Sequence, residues 1–187
     1  ISLHPGEQVR LAEIIIEGNE KTRDSFILDV MDIEIGALVR RADERRAFRD
    51  LYASGLFDSV SIDLEGSGPE RTLRVRVEEA ETLSFMVEGG YGSFERMRLL
   101  VGVTEHDLFG TGRSLTFRGK LAVKARGVSL FYKDPYTINK ENVLGMNTFF
   151  EKRQLVSFDQ TEYGAGFNLT RLLTESYRNI YGYEYRI

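Results

Sequence analysis

The feature that most constrains this chain is a period-two alternation running through its second half in unusually long segments. In SLTFRGKLAVK (114–124), Leu115, Phe117, Leu121 and Val123 fall on one side with Gly119. Thr116, Arg118, Lys120 and Lys124 fall on the other. Successive side chains of an extended strand point to opposite faces, so such a segment has one apolar and one charged face. YGAGFNLTRLL (163–173) repeats the pattern, with Tyr163, Ala165, Phe167 and Leu169 against Gly164, Gly166, Asn168 and Thr170. Near the end, Tyr177, Tyr181, Tyr183 and Tyr185 oppose Arg178, Glu184 and Arg186. The alternation and its glycine breaks predict strands at 83–91, 96–107, 113–124, 126–133, 143–153, 162–172 and 177–187.

Two environments produce this pattern: a soluble sandwich with an apolar interior, and a membrane barrel with an apolar exterior. Alternation alone does not separate them. Strand length favours the barrel, because sandwich strands run to about 5–6 residues and membrane strands to about 9–11. Glycines and cations share the polar face, as in a wet lumen. Aromatic residues crowd LFYKDPY and NTFFEKR in the manner of an interfacial girdle, although the absence of tryptophan counts against one. No apolar run approaches the roughly 20 residues of a membrane helix, which leaves a barrel open.

The first half reads differently. LAEIIIEGNE is a strand, with Leu11, Ile14, Ile15 and Ile16, followed by a turn. TRDSFILDVMDIEIG is a helix with Thr22 as expected N-cap, Asp24 in its first turn, and Phe26, Ile27, Val30 and Met31 on one stripe. A second helix has Asp43 as a cap, a face of Ala47, Phe48, Leu51 and Tyr52, and Gly55 placed to end it left-handed. FDSVSIDLE and RTLRVRVEEAE then alternate, with Val60, Ile62 and Leu64, and Leu73, Val75 and Val77, directed inward. The order β-α-α-β-β predicts a three-stranded sheet covered by two helices, a complete if small two-layer core. SVSIDLE has neither proline nor lysine. On a sheet edge it is open to an extended partner, held by main-chain bonds.

Composition narrows the function. The net charge is −4, which gives no basic footprint for nucleic acid. There is no cysteine, hence neither disulfide framework nor thiolate metal site. His4 and His106 are too far apart in sequence to suggest a zinc pair. Ser54 and Ser93 lack a histidine at a plausible spacing. Glu78, Glu79 and Glu81 read as a solvated strand end, and GTGRS reads as a hairpin turn because it lacks the lysine of a phosphate loop. No catalytic residues, metal or cofactor are expected.

These residues resemble a known family. IIIEGNEKTRDSFI is similar to the first strand and turn of a POTRA domain, and LYASGLFDSVSIDLE to its helix-to-strand step. VEGGYGS resembles the first barrel strand of the BamA/TamA superfamily of outer-membrane assembly proteins, also called bacterial surface antigens. HDLFGTGRSL resembles the hairpin between the second and third strands, and LFYKDPYT the end of the fourth. The resemblance implies an α+β POTRA domain at 8–80 and, at 81–187, antiparallel all-β strands forming the N-terminal part of a truncated transmembrane β-barrel.

It also implies a function. The expected protein assembles or inserts β-barrel proteins, with the POTRA domain in the periplasm and the strands in the outer membrane. Unfolded clients would add to a POTRA edge at Ser59, Val60, Ser61, Ile62, Asp63 and Leu64. A pliable barrel seam at Phe85, Val87, Gly89, Gly90, Tyr91 and Gly92 would template insertion, the glycines weakening the strand. Any one of those glycines equally suits a bend or an inward-packed side chain. Expected partners are unfolded outer-membrane proteins, outer-membrane lipids and accessory lipoproteins, with no nucleic acid. The alternatives are a secretion translocator of the same superfamily and a barrel anchor for a patatin-like lipase lying upstream. The first and last residues suggest a fragment cut at both ends, whose open edges would pair with a second copy.

Overall fold

The computed structural model describes residues 9–137, 141–173 and 177–187. His4 and the expected domain start at residue 8 lie outside them. The chain divides into two units: residues up to Glu81 with Phe109–Thr111, and Thr82–Leu108 with Gly112–Ile187.

The first unit runs β1 (Val9–Glu17), α1 (Asp24–Met31), β2 (Leu38–Val39), α2 (Arg41–Ala53), β3 (Phe57–Glu65) and β4 (Glu70–Glu79). Its sheet has four strands in the order β2-β1-β4-β3, where three were expected. The additional strand is the two-residue β2, antiparallel to Val9 and Arg10 and too short to leave an alternation in the sequence. β1 and β4 are parallel, and β3 returns antiparallel to β4. Leu11 of β1 and Leu73 and Val75 of β4 pack under Ile27, Val30 and Met31 of α1 and Leu51 of α2, all at most 1% exposed.

Two helix expectations need correction. Arg23, not Thr22, is the N-cap of α1, and Thr22 is buried. The Thr22 backbone N–H, which lies just before the helix, donates to Glu79 Oε1 of β4 at 2.7 Å. In α2 only Ala47 and Leu51 are buried; Phe48 and Tyr52 are exposed and stack on each other, ring centroids 6.1 Å apart. Asp43 occupies N3, where Oδ2 accepts the Arg40 N–H at 3.1 Å. Gly55 follows the helix at φ +71°, a conformation glycine adopts without steric cost.

The second unit is one antiparallel sheet of seven strands: β5 (Leu83–Gly92), β6 (Arg96–Leu108), β7 (Arg113–Ala122), β8 (Ala125–Asp134), β9 (Asn142–Gln154), β10 (Asp159–Leu172) and β11 (Arg178–Arg186). Neighbours in sequence are neighbours in the sheet, so β5 and β11 form its edges. The register carries the alternation from strand to strand. Phe85 faces Val103, Val103 faces Phe117, Phe117 faces Leu130, and Leu130 faces Thr148. Thr148 then faces Ala165, and Ala165 faces Tyr185. Paired residues share a face, so the whole sheet has one apolar side and one polar side.

The apolar side is left uncovered: Phe85 is 75% exposed, Val87 74%, Met97 72% and Leu121 60%. The polar side carries an ion ladder. Lys120 Nζ bridges Glu95 and Glu151 at 2.6 and 3.1 Å, Arg153 pairs with Glu151 at 2.8 Å, and Arg186 pairs with Glu184 at 2.7 Å. The expected aromatic girdle is split between the faces. Phe131 and Phe149 lie on the charged side beneath Arg118 and Arg186, 4.9 and 5.2 Å from ring centroid to guanidinium carbon. Phe150 shares the apolar side.

Candidate functional site: two open sheet edges

β3 pairs only with β4, so its other side is an edge of the first sheet. An edge strand turns alternate N–H and C=O groups away from its partner, in the geometry a further strand would use. The register breaks between Phe57 and Ser59 and is then continuous from Ser59 through Glu65. The bulge bends the start of the strand, so the regular edge begins at Ser59. Val60 is buried and Ile62 and Leu64 are half-buried beneath the helices, while Ser59 and Asp63 are exposed. A strand added here would meet free backbone groups with little side-chain preference.

The solvent face behind that edge is tied together by charge. Arg74 of β4 bonds Glu65 of β3 at 2.8 Å and also pairs with Glu17 of β1. Arg76 reaches Asp63 at 3.1 Å, Glu65 at 3.4 Å and Glu17 at 3.4 Å. The Arg74 hydrogen bond holds the Glu65 carboxyl below the usual carboxylate range. These exposed pairs add little stability, but they make a one-residue slip of β3 unfavourable by misaligning every charge.

Glu79, at the end of β4, was expected only to lie in solvent. Its carboxylate accepts the backbone N–H groups of Glu20 at 3.1 Å, Lys21 at 3.0 Å and Thr22 at 2.7 Å. Partial burial pushes its pKa up, but the N–H donors from Thr22, Lys21 and Glu20 outweigh it and hold the group below its ordinary value. The sequence signal was weak, because donors and acceptor lie 57 to 59 residues apart.

β5 is an edge of the second sheet and pairs only with β6. The expected seam residues divide between its faces. Phe85, Val87, Gly89 and Tyr91 share the apolar side, whereas Gly90 and Gly92 lie on the charged side. Gly90 makes room for an inward side chain: a Cβ there would stand 2.9 Å from Arg98 Nε. Gly89 and Gly92 have open space where a Cβ would go, and neither has a positive φ. At those two positions glycine removes cross-strand packing without any local steric reason, which leaves the β5–β6 pairing weaker at its far end.

The predicted site residues therefore gather into two edges, one in each unit. His106 Nε2 meets Ser84 Oγ at 3.0 Å and has no metal-ligating cluster around it among the described residues. GTGRS closes the turn between β6 and β7 and runs into β7 at Arg113, with Gly112 N–H donating to Asp107 Oδ1 at 2.7 Å.

Comparison with known proteins bears on each half of the chain. The family description "Surface antigen variable number repeat" (POTRA) matches residues 9–80, and "Omp85 superfamily domain" matches residues 107–187. Each of the two family models covers less than half of the chain, one within each unit's share of the sequence. Similar proteins include the outer membrane protein assembly factor BamA of Neisseria meningitidis serogroup B, 27% identical over 97% of this chain and 24% of that protein. BamA of Nitratidesulfovibrio vulgaris is 24% identical over 84% of this chain and 20% of its own length. The chain thus spans about a quarter or less of these relatives. Among solved structures, BamA from Haemophilus ducreyi lacking POTRA domains 1–3 superposes with a TM-score of 0.83 at 24% identity, covering 95% of this chain and 35% of that one. CdiB from Acinetobacter baumannii shares the fold with a TM-score of 0.64 at 12% identity, over 95% of this chain and 39% of that one.

Proposed function

We propose that this chain is the part of an outer-membrane assembly factor in which a periplasmic POTRA domain passes directly into the barrel wall. The names of its BamA relatives support that reading, as does a seven-stranded sheet whose apolar face has no covering element among the described residues. Such a face is stable in hydrocarbon and costly in water. The observation that carries the assembly role is the pair of open edges. β3 receives an unfolded client from Ser59 to Leu64 as an added strand. β5 offers Phe85–Gly92 as the template beside which the client's strands enter the bilayer. Folding into lipid is itself downhill, so no nucleotide, cofactor or catalytic group is required.

The test is reconstitution of the complete protein in liposomes, scoring how fast an unfolded outer-membrane barrel client becomes protease-resistant. Acceleration is expected, and it should be abolished, with the domain still folded, by whichever of Ile62→Pro and Ser61→Pro removes an outward N–H. One of these prolines removes an outward N–H while the other breaks a ladder bond to β4, so comparing them separates lost strand addition from a damaged domain. The resemblance also admits a secretion translocator, and the likeness to CdiB shows the fold alone. Polypeptide or ion flux without client folding would replace the assembly reading with that one. A second copy added edge-to-edge at β5 or β11 would show as concentration-dependent dimers.

A further inference from the structure

We propose that the β5 edge favours arriving strands that bring a carboxylate to the polar face of the second sheet, where Arg98, backed by Arg96, receives it across Gly90 and Gly92. The proposal deepens the assembly reading above and rests on it for the identity of the arriving strand.

The two arginines of β6 both stand opposite glycine. Arg98 pairs with Gly90 and Arg96 with Gly92. At these positions β5 places no side chain between the cations and its open side. Arg98 occupies the gap: its Nε stands 2.9 Å and its Cζ 3.7 Å from where a Cβ on Gly90 would be. A guanidinium laid over the edge strand is about one strand spacing, roughly 4.8 Å, from the next strand to be added. A newcomer's Cβ opposite Gly90 would stand about 4.5–5.5 Å from the same point. The side chain of an Asp or Glu spans what remains, and the fork of an arginine takes both oxygens of a carboxylate.

The charge at this end of the edge is unbalanced. Glu95, in the turn before β6, is engaged by Lys120 at 2.6 Å. Glu88 is the next polar-face residue along β5 from Gly90. Neither it nor any other carboxylate among the described residues makes an ion pair with Arg96 or Arg98. The backbone adds a second sign. Arg96 has φ +58°, a left-handed conformation that glycine adopts without steric cost. An arginine there is costlier than a glycine, and its side chain supplies what glycine lacks, a second cation beside Arg98.

The site adds a preference to main-chain pairing and does not replace it. Free N–H and C=O groups along β5 hold any strand that alternates. A carboxylate adds to them only on the polar face, because the corresponding apolar-side residues are Gly89, Tyr91, Met97 and Leu99, none of them charged. Alternation also leaves a slip of two residues unmarked, since such a slip keeps every side chain on its own face. It would carry the carboxylate about 7 Å along the edge and away from Arg98. The arginine thus fixes the register that alternation leaves open. A free anion would meet the cations and leave the ladder unpaired, so a strand accounts for both halves of the feature.

The test uses the complete protein in detergent and fluorescent peptides of about ten residues that alternate Val or Leu with Thr. Each Thr is replaced in turn by Glu or by Gln, and binding is read by anisotropy. At one position Glu should bind about five- to tenfold more tightly than Gln, an advantage that fades as salt rises. Arg98→Gln should erase the advantage, and Arg96→Gly, which suits the local φ, should reduce it. Arg98→Glu should reverse it in favour of a peptide carrying Lys at that position, which a merely structural role for Arg98 would not produce. Equal binding of Glu and Gln peptides, a Glu advantage that is the same at every position, or one that survives Arg98→Gln overturns the proposal. So does a lack of binding by every peptide. A failure of the assembly reading looks different: the Glu preference stands, and the complete protein speeds no client folding in liposomes.

Discussion

The strands of the two units follow one rule and meet two different surroundings. Leu73 and Val75 of β4 alternate with arginines, and their side chains are 0% exposed because α1 and α2 lie over them. Phe85 and Val87 of β5 stand at the same two-residue spacing, with Met86 between them, and they are 75% and 74% exposed. The two-residue spacing does not distinguish the two. What differs is the company each sheet has in the chain: β1, β3 and β4 are interleaved with two amphipathic helices, whereas β5 to β11 follow one another without a helix among the described residues. An apolar strand face shows only that something must cover it. The neighbouring elements decide whether protein does so or a surrounding solvent must.

The comparison can be broken most severely in the first unit. Leu51→Ala should cost about 2–5 kcal/mol, as a large-to-small change at a fully buried position. Hydrogen exchange at Leu73–Val77 would accelerate, while exchange in the seven-stranded sheet would stay unchanged. Phe117→Arg on the apolar side of β7 should cost about 2–4 kcal/mol for folding into lipid vesicles. The adjacent Arg118 already stands on the other face, so a charge at 117 tests the face and not the strand. Equal tolerance of charge on both faces would restore the soluble-sandwich reading.

Two smaller effects sharpen the contrast. Glu79→Gln should destabilise the first unit by about 1 kcal/mol, modest because the carboxylate is only partly shielded from water. The folded pKa of Glu79 is depressed, so its contribution is present in full above the unfolded value near 4.5 and is lost as pH falls through the folded value. Acid titration of the wild type should therefore show a loss of stability below about pH 4.5 that is shallower in the glutamine variant. Smallest of all, Gly89→Val should strengthen β5 by a few tenths of a kcal/mol, because the site has room and an ordinary φ. Client folding in liposomes should slow, since a firmer seam opens less readily.

Much of this was legible in the sequence, for reasons that also explain what was not. The seven long strands could be placed closely because a two-residue period sustained over ten or more residues has little competition. The helices were found by their apolar stripes, but the stripe on α2 overstated the core. A small sheet covers a narrow strip of a short helix, so Phe48 and Tyr52 remain outside beside the buried Ala47 and Leu51. β2 spans two residues and leaves no period to find. The cap was misplaced at Thr22 because the helix begins one residue later and Thr22 is instead buried, its N–H held by Glu79 from the far end of the domain. An edge role for β3 could be anticipated because two strands of any three-stranded sheet are edges, but not its bulge at Phe57. Arg96 and Arg98 each looked like ordinary strand cations, and only the pairing of β6 with β5 sets them opposite Gly92 and Gly90.

The split of β5 into an apolar and a charged face has one more consequence. A newcomer held there by main-chain bonds alone is not identified by its side chains, yet a shift of one residue would turn its apolar set toward Glu88 and Arg98. On the proposed reading, the edge would read a single bit from each arriving strand, odd or even. Such a parity check would accept any sequence that alternates and reject the same sequence one step out of phase, which would let one template serve many unrelated strands.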